Sequence, residues 1–532
     1  MSDAKAAAAF ASAEQAYLRG DLKTALNGYL TALMKAPGTA LYRRTALEVL
    51  AMFDGYGKLA APIVAALEDC ARDPTLDMQP LMRVVKNIVL GDARFAALDA
   101  SLANGRFDAD LANGDFDWFF TNPLLLAVLV RATSVDEASE AVYTRLRRAV
   151  LEHPELAARH GAFVEALACY CVRTRHVWAE TPEERAKLAG KSALIRCLYD
   201  PIGADADNLP PLLKQISAER AEERALAAAL PQLTPIAPGL SAAMQAQYEN
   251  YPYPPWVQNG AVEPTRWPAF TARYMPQPPF PIPNPEVLDI LVAGCGTGRS
   301  SVDLAQRFPT ARITAVDLSR ASLGYAARMA KAMNVPNISF GVADILMLGE
   351  LGRTFTFIEC GGVLHHMNDP AAGLAMLTGL LTPGGVMRLS LYSERARAPI
   401  VAARAFVAEH KFPDTLEGLR AARAAILALP EDHPVRRVAR RTDFASADGL
   451  HDLIVNVHEE RYTPDGLKAL FDNEGLTFLG FDIANPAKRA AYQAQYPHDP
   501  LGRDLDAWEE FEKVQADTFQ AMFQMWLQKP AP

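Results

Sequence analysis

A chain of 532 residues is too long for one hydrophobic core, so two to four domains are expected. Half of it is apolar, and a net charge of −9 gives no basic footprint for wrapping nucleic acid or coating an anionic membrane. The six cysteines are scattered and read as reduced thiols; Cys169 and Cys171 lack a second pair at zinc-site spacing and read as residues of a helix, with no metal expected.

The opening MSDAKAAAAFASAEQ meets Glu14 before the apolar core of a secretion signal can form. No apolar stretch approaches the roughly 18 residues of a membrane span, the longest lying around Leu124 to Val130. A cytoplasmic protein is expected. The segment AYLRGDLKTALNGYLTALMKAP reads as two helices around Gly20-Asp21, with Ala25, Tyr29 and Ala32 lining one face and Pro37 stopping the second. This is the tetratricopeptide pattern, and one such repeat cannot bury its own face, so further helices must continue the stack. Gly57 and Pro74 sit where a degenerate second repeat would turn and stop. Apolar residues at helical spacing persist to about Leu233, which defines an α-helical, tetratricopeptide-like domain over 1–235.

Between Tyr251 and Pro285 stand eleven prolines, together with Tyr251, Tyr253, Trp256, Trp267, Tyr274 and Phe280. A flexible linker favours Gly and Ser, so 236–286 reads as an extended, aromatic strap packed on the next domain, with Trp256 assigned to that packing. The run VLDILVA then forms a buried parallel strand and turns through Gly294-Cys295-Gly296-Thr297-Gly298 into a helix. Alternate glycines let backbone approach a ligand, and the helix start suits an anion; the spacing is neither the dinucleotide nor the nucleoside-triphosphate pattern. The next strand ends on Asp317-Leu318, where a carboxylate reaches ribose hydroxyls, and the third on Asp344-Ile345, where one can accept from an exocyclic amine. A fourth, TFTFIE, leads into CGGVLHHMNDP, and a fifth, VMRLSLY, follows Thr382-Pro-Gly-Gly385. Such a chain over 287–395 is an α/β, Rossmann-like, mostly parallel sheet.

The ordered motifs AGCGTG, AVDLS, VAD, GVLHHMNDP and LTPGG resemble those of the class I S-adenosylmethionine-dependent methyltransferases. The resemblance implies S-adenosyl-L-methionine as cofactor, with Gly294, Cys295, Gly296, Thr297, Gly298, Asp317, Leu318, Asp344, Ile345 and Tyr248 around it. One departure is Val292, where many members place an acid two residues before the first glycine; main-chain carbonyls or the strap then hold the methionine amine. The helical front and the QYExxPYPxW-type segment are similar to multidomain bacterial methyltransferases. The architecture is also loosely similar to rickettsial-type protein-lysine methyltransferases, in which a Rossmann domain sits amid helical domains and which modify outer-membrane proteins.

Four residues are candidates for catalysis. His365 and His366 begin the helix after the fourth strand and read as a base, an acceptor contact or packing. Glu359 faces substrate or hydrogen-bonds its own loop, and Tyr251, with Tyr248, Glu249 and Tyr253, covers the methionine end or frames the acceptor channel. Beyond the sheet, 396–532 reads as a helical insertion to about Val455, a capped helix TPDGLKALFDNEG, a strand LTFLGFDI, and an amphipathic terminal helix from Asp506 to Gln528. His451, His458, Glu459 and Glu460 are expected on one helix, the two histidines sharing a face, as a substrate-facing surface or solvated charge cluster rather than a metal site, and Arg436, Arg437, Arg440 and Arg441 on a solvated face. The function expected is methyl transfer to a protein or peptide, with lysine as the example. The alternatives are a small-molecule O- or N-methyltransferase whose helices dimerise or form a lid, and a non-enzymatic repeat scaffold with a cofactor-sensing domain. No nucleic-acid or membrane partner is expected, and a homodimer stays open.

Overall fold

The protein is described by a computed structural model covering residues 2–53, 59–260, 262–483 and 485–531. Gly57, expected to turn a second repeat, lies outside them. Two compact units are present, one of Met1–Arg220, Pro255–Ala261 and Phe406–Leu453, the other of Ala221–Pro254, Val262–Ala405 and Ile454–Pro532.

The first unit is helical. Helices Ser2–Leu18 and Leu22–Lys35 form a tight hairpin through Gly20, whose φ of +79° suits the turn, and Asp21 caps the second helix by accepting from Thr24 N–H. Ala25, Tyr29 and Ala32 are buried as expected, and a Cβ on Gly28 would stand 2.8 Å from that of Ala13, so small residues set the helix separation. Cys169, Tyr170 and Cys171 lie on the helix Gly161–Arg173 and are buried, which pushes both thiols up to about 12. Two sequence expectations change here. Arg436 is buried and paired with Glu137 instead of lying on a solvated face, although Arg437 and Arg440 are exposed. The helix Ala447–Ile454 ends before His458, so His451 and His458 share no helix face.

In the second unit a seven-stranded sheet runs in the order β3-β2-β1-β4-β5-β7-β6. Its strands are β1 (Asp289–Ala293), β2 (Arg312–Asp317), β3 (Ile338–Val342), β4 (Phe355–Gly361), β5 (Leu381–Tyr392), β6 (Thr477–Phe481) and β7 (Met522–Gln528). The first five are parallel, and β7 is antiparallel to both of its neighbours. The alternation of strand side chains divides the core into two layers. Val292, Phe357, Val386 and Trp526 face one way, towards Trp267, Phe270, Leu304 and Phe308. Leu291, Ile358, Leu389 and Leu527 face the other, towards Leu374, Leu377, Phe471, Trp508 and Phe511.

Three corrections to the sequence reading fall in this unit. The expected terminal helix stops at Val514, and its second half is β7, a central strand rather than an amphipathic face. QAMFQMWLQ carries apolar residues at both two- and three-residue spacings, and pairing to β5 decides for the strand. The strap is not extended throughout: it contains the helices Leu240–Asn250 and Trp267–Tyr274, the latter carrying Pro268 in its first turn, where the missing N–H costs nothing. His365 and His366 lie in a short 3-10 turn, Leu364–His366, and the helix begins only at Pro370. Among the described residues no helix is long and apolar enough to cross a membrane.

Two stability tests follow from these packings. Leu527 is fully buried on β7, so Leu527→Ala is expected to cost about 2–5 kcal/mol in urea unfolding; unchanged unfolding would show that β7 is not a core strand. Asp448 is buried 3.1 Å from Arg175 Nε, and burial pushes its carboxyl from 3.8 up to about 6 against the pull of Arg175 and Arg220. A carboxyl raised on folding favours the folded state fully only below its unfolded pKa, and that contribution is lost as pH climbs through about 6. Asp448→Asn should therefore flatten the fall in stability between about pH 4 and 6, measured by denaturation at stepped pH.

Candidate active site

At the carboxyl end of β1 the chain turns through Gly294, Gly296 and Gly298, with φ of +71°, +53° and +81°. Left-handed backbone at alternate residues is why glycine recurs there. Every N–H of the loop is spent inside the protein. Gly294 and Cys295 donate to Val316 on β2, Gly296 to the Asp317 carboxylate at 2.8 Å, Thr297 to the Tyr253 carbonyl, and Gly298 to Cys295. The space beside each glycine is likewise filled by protein. A Cβ would meet Val363 at Gly294, the Tyr253 carbonyl at 2.4 Å at Gly296, and Ala326 at Gly298. The loop is thus shaped by neighbouring backbone and side chains, and its amides do not form the anion cradle that the glycine spacing suggests.

Asp317 closes β2. Its Oδ2 accepts from Gly296 N–H and its Oδ1 from Ser319 N–H at 2.9 Å, and Leu318 N–H also bonds to the carboxylate, which leaves part of its acceptor capacity for a hydroxyl donor. Burial pushes this carboxyl up, Glu249 adds to the rise, and the backbone donors oppose it. Burial also drives the Cys295 thiol well above its ordinary value, so it is no nucleophile.

The strap is tied directly to this edge. The Glu249 carboxylate accepts from Arg320 and Ala321 N–H, the first two donors of the helix Arg320–Ala332, at 2.6 and 3.0 Å. A carboxylate at that end complements the helix dipole. Gln245 donates to the Leu318 carbonyl, and Ser319 Oγ donates to the Tyr248 carbonyl. Thr297 Oγ1 donates to the Pro254 carbonyl at 2.6 Å, next to a cis Tyr253–Pro254 peptide. Tyr251 is half-buried at the end of its helix, its N–H bonded to Gln247. At β3, Asp344 Oδ1 accepts from Leu346 N–H and Oδ2 from Ala237 N–H, while Thr234 accepts from Asp344 N–H; Ile345 is buried beside it.

Glu359 is placed differently from the other candidates. It is buried inside β4, as the register partner of Val292, so the carboxylate that β1 lacks stands one strand over. Its Oε2 lies 3.6 Å from Arg388 Nη1, and Arg388 also donates to Asp482 and Gln524. Among the described residues it is an ion-pair partner within the sheet rather than a group at the strand end.

The loop after β4 packs Val363 against Gly294 and brings the two histidines beneath Tyr392, the last residue of β5. His366 Nδ1 lies 2.6 Å from the His458 carbonyl, and its Nε2 lies 3.5 Å from the Tyr392 hydroxyl. His365 is fully buried with its ring stacked on Tyr392 at 3.5 Å, and neither ring nitrogen has a hydrogen-bond partner among the described residues. Burial, then the neighbouring His366 and Arg397, hold its pKa well below the usual range, so it is neutral. Arg397 lies over the same tyrosine ring at 3.3 Å and pairs with buried Glu459, which also holds Arg404 and Arg461. Tyr392 and Arg397 were not among the sequence candidates, and Glu459 was expected only in a substrate-facing or solvated cluster with His451, His458 and Glu460. The signal for Tyr392 was present, since it ends a strand on the ligand-binding edge. Arg397 and Glu459 are 62 residues apart and no local pattern links them.

This sheet order, with a glycine loop and acids at the carboxyl ends of β1 to β3, is the class I methyltransferase arrangement. The methyltransferase-domain family matches residues 290–385, less than half of the chain. An uncharacterised Synechococcus protein is 33% identical over 254 residues, covering 45% of this chain and 59% of its own length. A trans-aconitate 2-methyltransferase from Deinococcus radiodurans is 34% identical over 110 residues, covering 21% of this chain and 40% of its own. The chain thus spans less than two thirds of either relative. Among solved structures, PKMT2 from Rickettsia typhi with AdoHcy superposes with a TM-score of 0.40 at 18% identity, over 52% of this chain and 55% of that one. The central segment is a class I, S-adenosylmethionine-dependent methyltransferase domain.

Gly296→Ala would force a Cβ onto the Tyr253 carbonyl at a left-handed φ. It should destabilise the unit by about 1–3 kcal/mol and open 251–254 to limited proteolysis. Wild-type protease resistance would refute the strap contact.

Proposed function

We propose that the protein transfers the methyl group of S-adenosylmethionine to an acceptor that meets it at the carboxyl ends of β4 and β5. The observation that carries this reading is Asp317, a strand-end carboxylate held by backbone N–H groups with acceptor capacity still left, beside a glycine loop whose shape is fixed by its neighbours. That remaining capacity suits a ribose hydroxyl. Asp344 and Ile345 then take the adenine side, with Leu318 and Tyr248 near the ribose and Gly294 to Gly298 beneath the methionine. The cofactor supplies an electrophilic methyl when bound; the protein aligns the acceptor and excludes water.

The acceptor we favour is a protein or peptide side chain, with lysine as the example. The support is the separate helical unit of more than 200 residues with its tetratricopeptide-like hairpin, a type of surface that commonly takes polypeptide. A small-molecule acceptor is the second reading, and one observation favours it. Glu359, the acid on β4, is buried against Arg388, so it offers no carboxylate to a lysine at the strand end.

Asp317→Ala should weaken cofactor binding more than tenfold, about 1.4 kcal/mol, by calorimetry; unchanged affinity would refute the ribose assignment. Incubation with methyl-labelled cofactor and fractionated lysate separates the acceptor readings. Label in macromolecules supports the polypeptide, label in small metabolites the second reading, and no transfer at all would overturn the enzymatic proposal in favour of a cofactor-binding scaffold.

A further inference from the structure

Tyr392 is held more firmly than packing alone requires. The Arg397 guanidinium lies 3.3 Å from the centre of its ring and the His365 ring 3.5 Å from the same point. Two groups that close cannot share a face, so the phenol is sandwiched between a cation and a neutral imidazole. Arg397 is fixed in turn by the buried carboxylate of Glu459. A cation attracted to the ring face holds the ring in place and so fixes where its hydroxyl lies. That hydroxyl lies 3.5 Å from His366 Nε2, with the two rings nearly perpendicular.

The tautomer of His366 follows from its other nitrogen. At 2.6 Å from the His458 carbonyl, Nδ1 must carry a hydrogen, because a carbonyl can only accept. In the neutral ring Nε2 is then the lone-pair nitrogen, and it is the one that faces Tyr392. The neighbouring segment holds this arrangement on both sides. Glu460 N–H donates to the His365 carbonyl and Tyr462 N–H to the Tyr392 carbonyl, so 458–462 clamps the loop after β4 against the end of β5.

We propose that Tyr392 and His366 form a proton-accepting couple for the methyl acceptor, with Tyr392 as the group that touches it and Arg397 as a positioning residue. This rests on the methyl-transfer reading and names which histidine serves it. As the acceptor atom's lone pair forms its bond to the methyl carbon, the electrons of the carbon–sulfur bond stay on sulfur. The acceptor's proton goes to the Tyr392 oxygen while the Tyr392 proton passes to His366 Nε2. The ring ends as an imidazolium, its Nδ1–H still bonded to the His458 carbonyl, and later releases the proton to solvent. His365 takes no part in the proton transfer.

Two measurements test it. The first needs no acceptor: in protein labelled with 15N-histidine, the His366 signal, assigned by its loss in His366→Gln, should report the Nδ1–H tautomer, and an Nε2–H tautomer would overturn the couple. The second uses the acceptor fraction from the labelling experiment. Tyr392→Phe should lower turnover about 10²-fold while cofactor affinity by calorimetry stays within twofold, and turnover within twofold of wild type would overturn the proposal. His366→Gln should also abolish the loss of rate at low pH that protonation of Nε2 causes; a retained acidic limb counts against it. Failure of the wild-type protein to bind cofactor would instead strike the methyl-transfer reading, and the tautomer measurement would still decide the couple.

Discussion

The carboxylate of Asp317 fixes the geometry at the centre of the sheet. By accepting from Gly296 on one oxygen and Ser319 on the other, it ties the loop after β1 to the turn after β2. Those two turns are the ones the strap reaches, through Thr297 and Ser319, so the position of the strap depends on them. A carboxylate with backbone donors on both oxygens repays much of its desolvation. The same residue therefore serves as a structural clip and as the acceptor proposed for the ribose.

Electrostatics in this unit follow a consistent rule: each buried charge is shared. Glu459 serves three guanidiniums, Arg388 bonds or pairs with three side chains, and Glu249 neutralises the positive end of a helix. His365 stands apart as a buried polar ring without a hydrogen bond, and its cost is met by stacking and by remaining uncharged. Two adjacent histidines of the same type thus differ completely in chemistry, because one reaches a carbonyl and the other only a ring face.

Much of this was legible in the chain itself. Asp317, Asp344 and the glycine loop announce themselves because strand periodicity places them at strand ends, where parallel sheets bind ligands. What the glycines are for was less legible: the sequence pattern suggests approach of a ligand, whereas Val363, Tyr253 and Ala326 occupy the space. Those contacts come from segments up to 69 residues away and leave no mark on local spacing. Glu359 was misleading for a similar reason, since its partner Arg388 sits on the next strand. The failure at 515–528 was of another kind. A segment with both two- and three-residue apolar spacing is undecided until a strand edge is offered to it, and β5 offers one.

The placement of β7 between β5 and β6 bears on the order in which the chain can assemble. During synthesis β1 to β5 emerge first and leave β5 as an exposed edge, while β6, made later, has no sheet neighbour until 522–528 follow it. For that interval of roughly 130 residues, several seconds to half a minute at the pace of translation, an apolar strand edge is open to other chains. The helices of 406–453 are made in the same interval and belong to the other unit. Exposure of nascent chains to one another on crowded ribosomes is therefore greatest just before the sheet is completed.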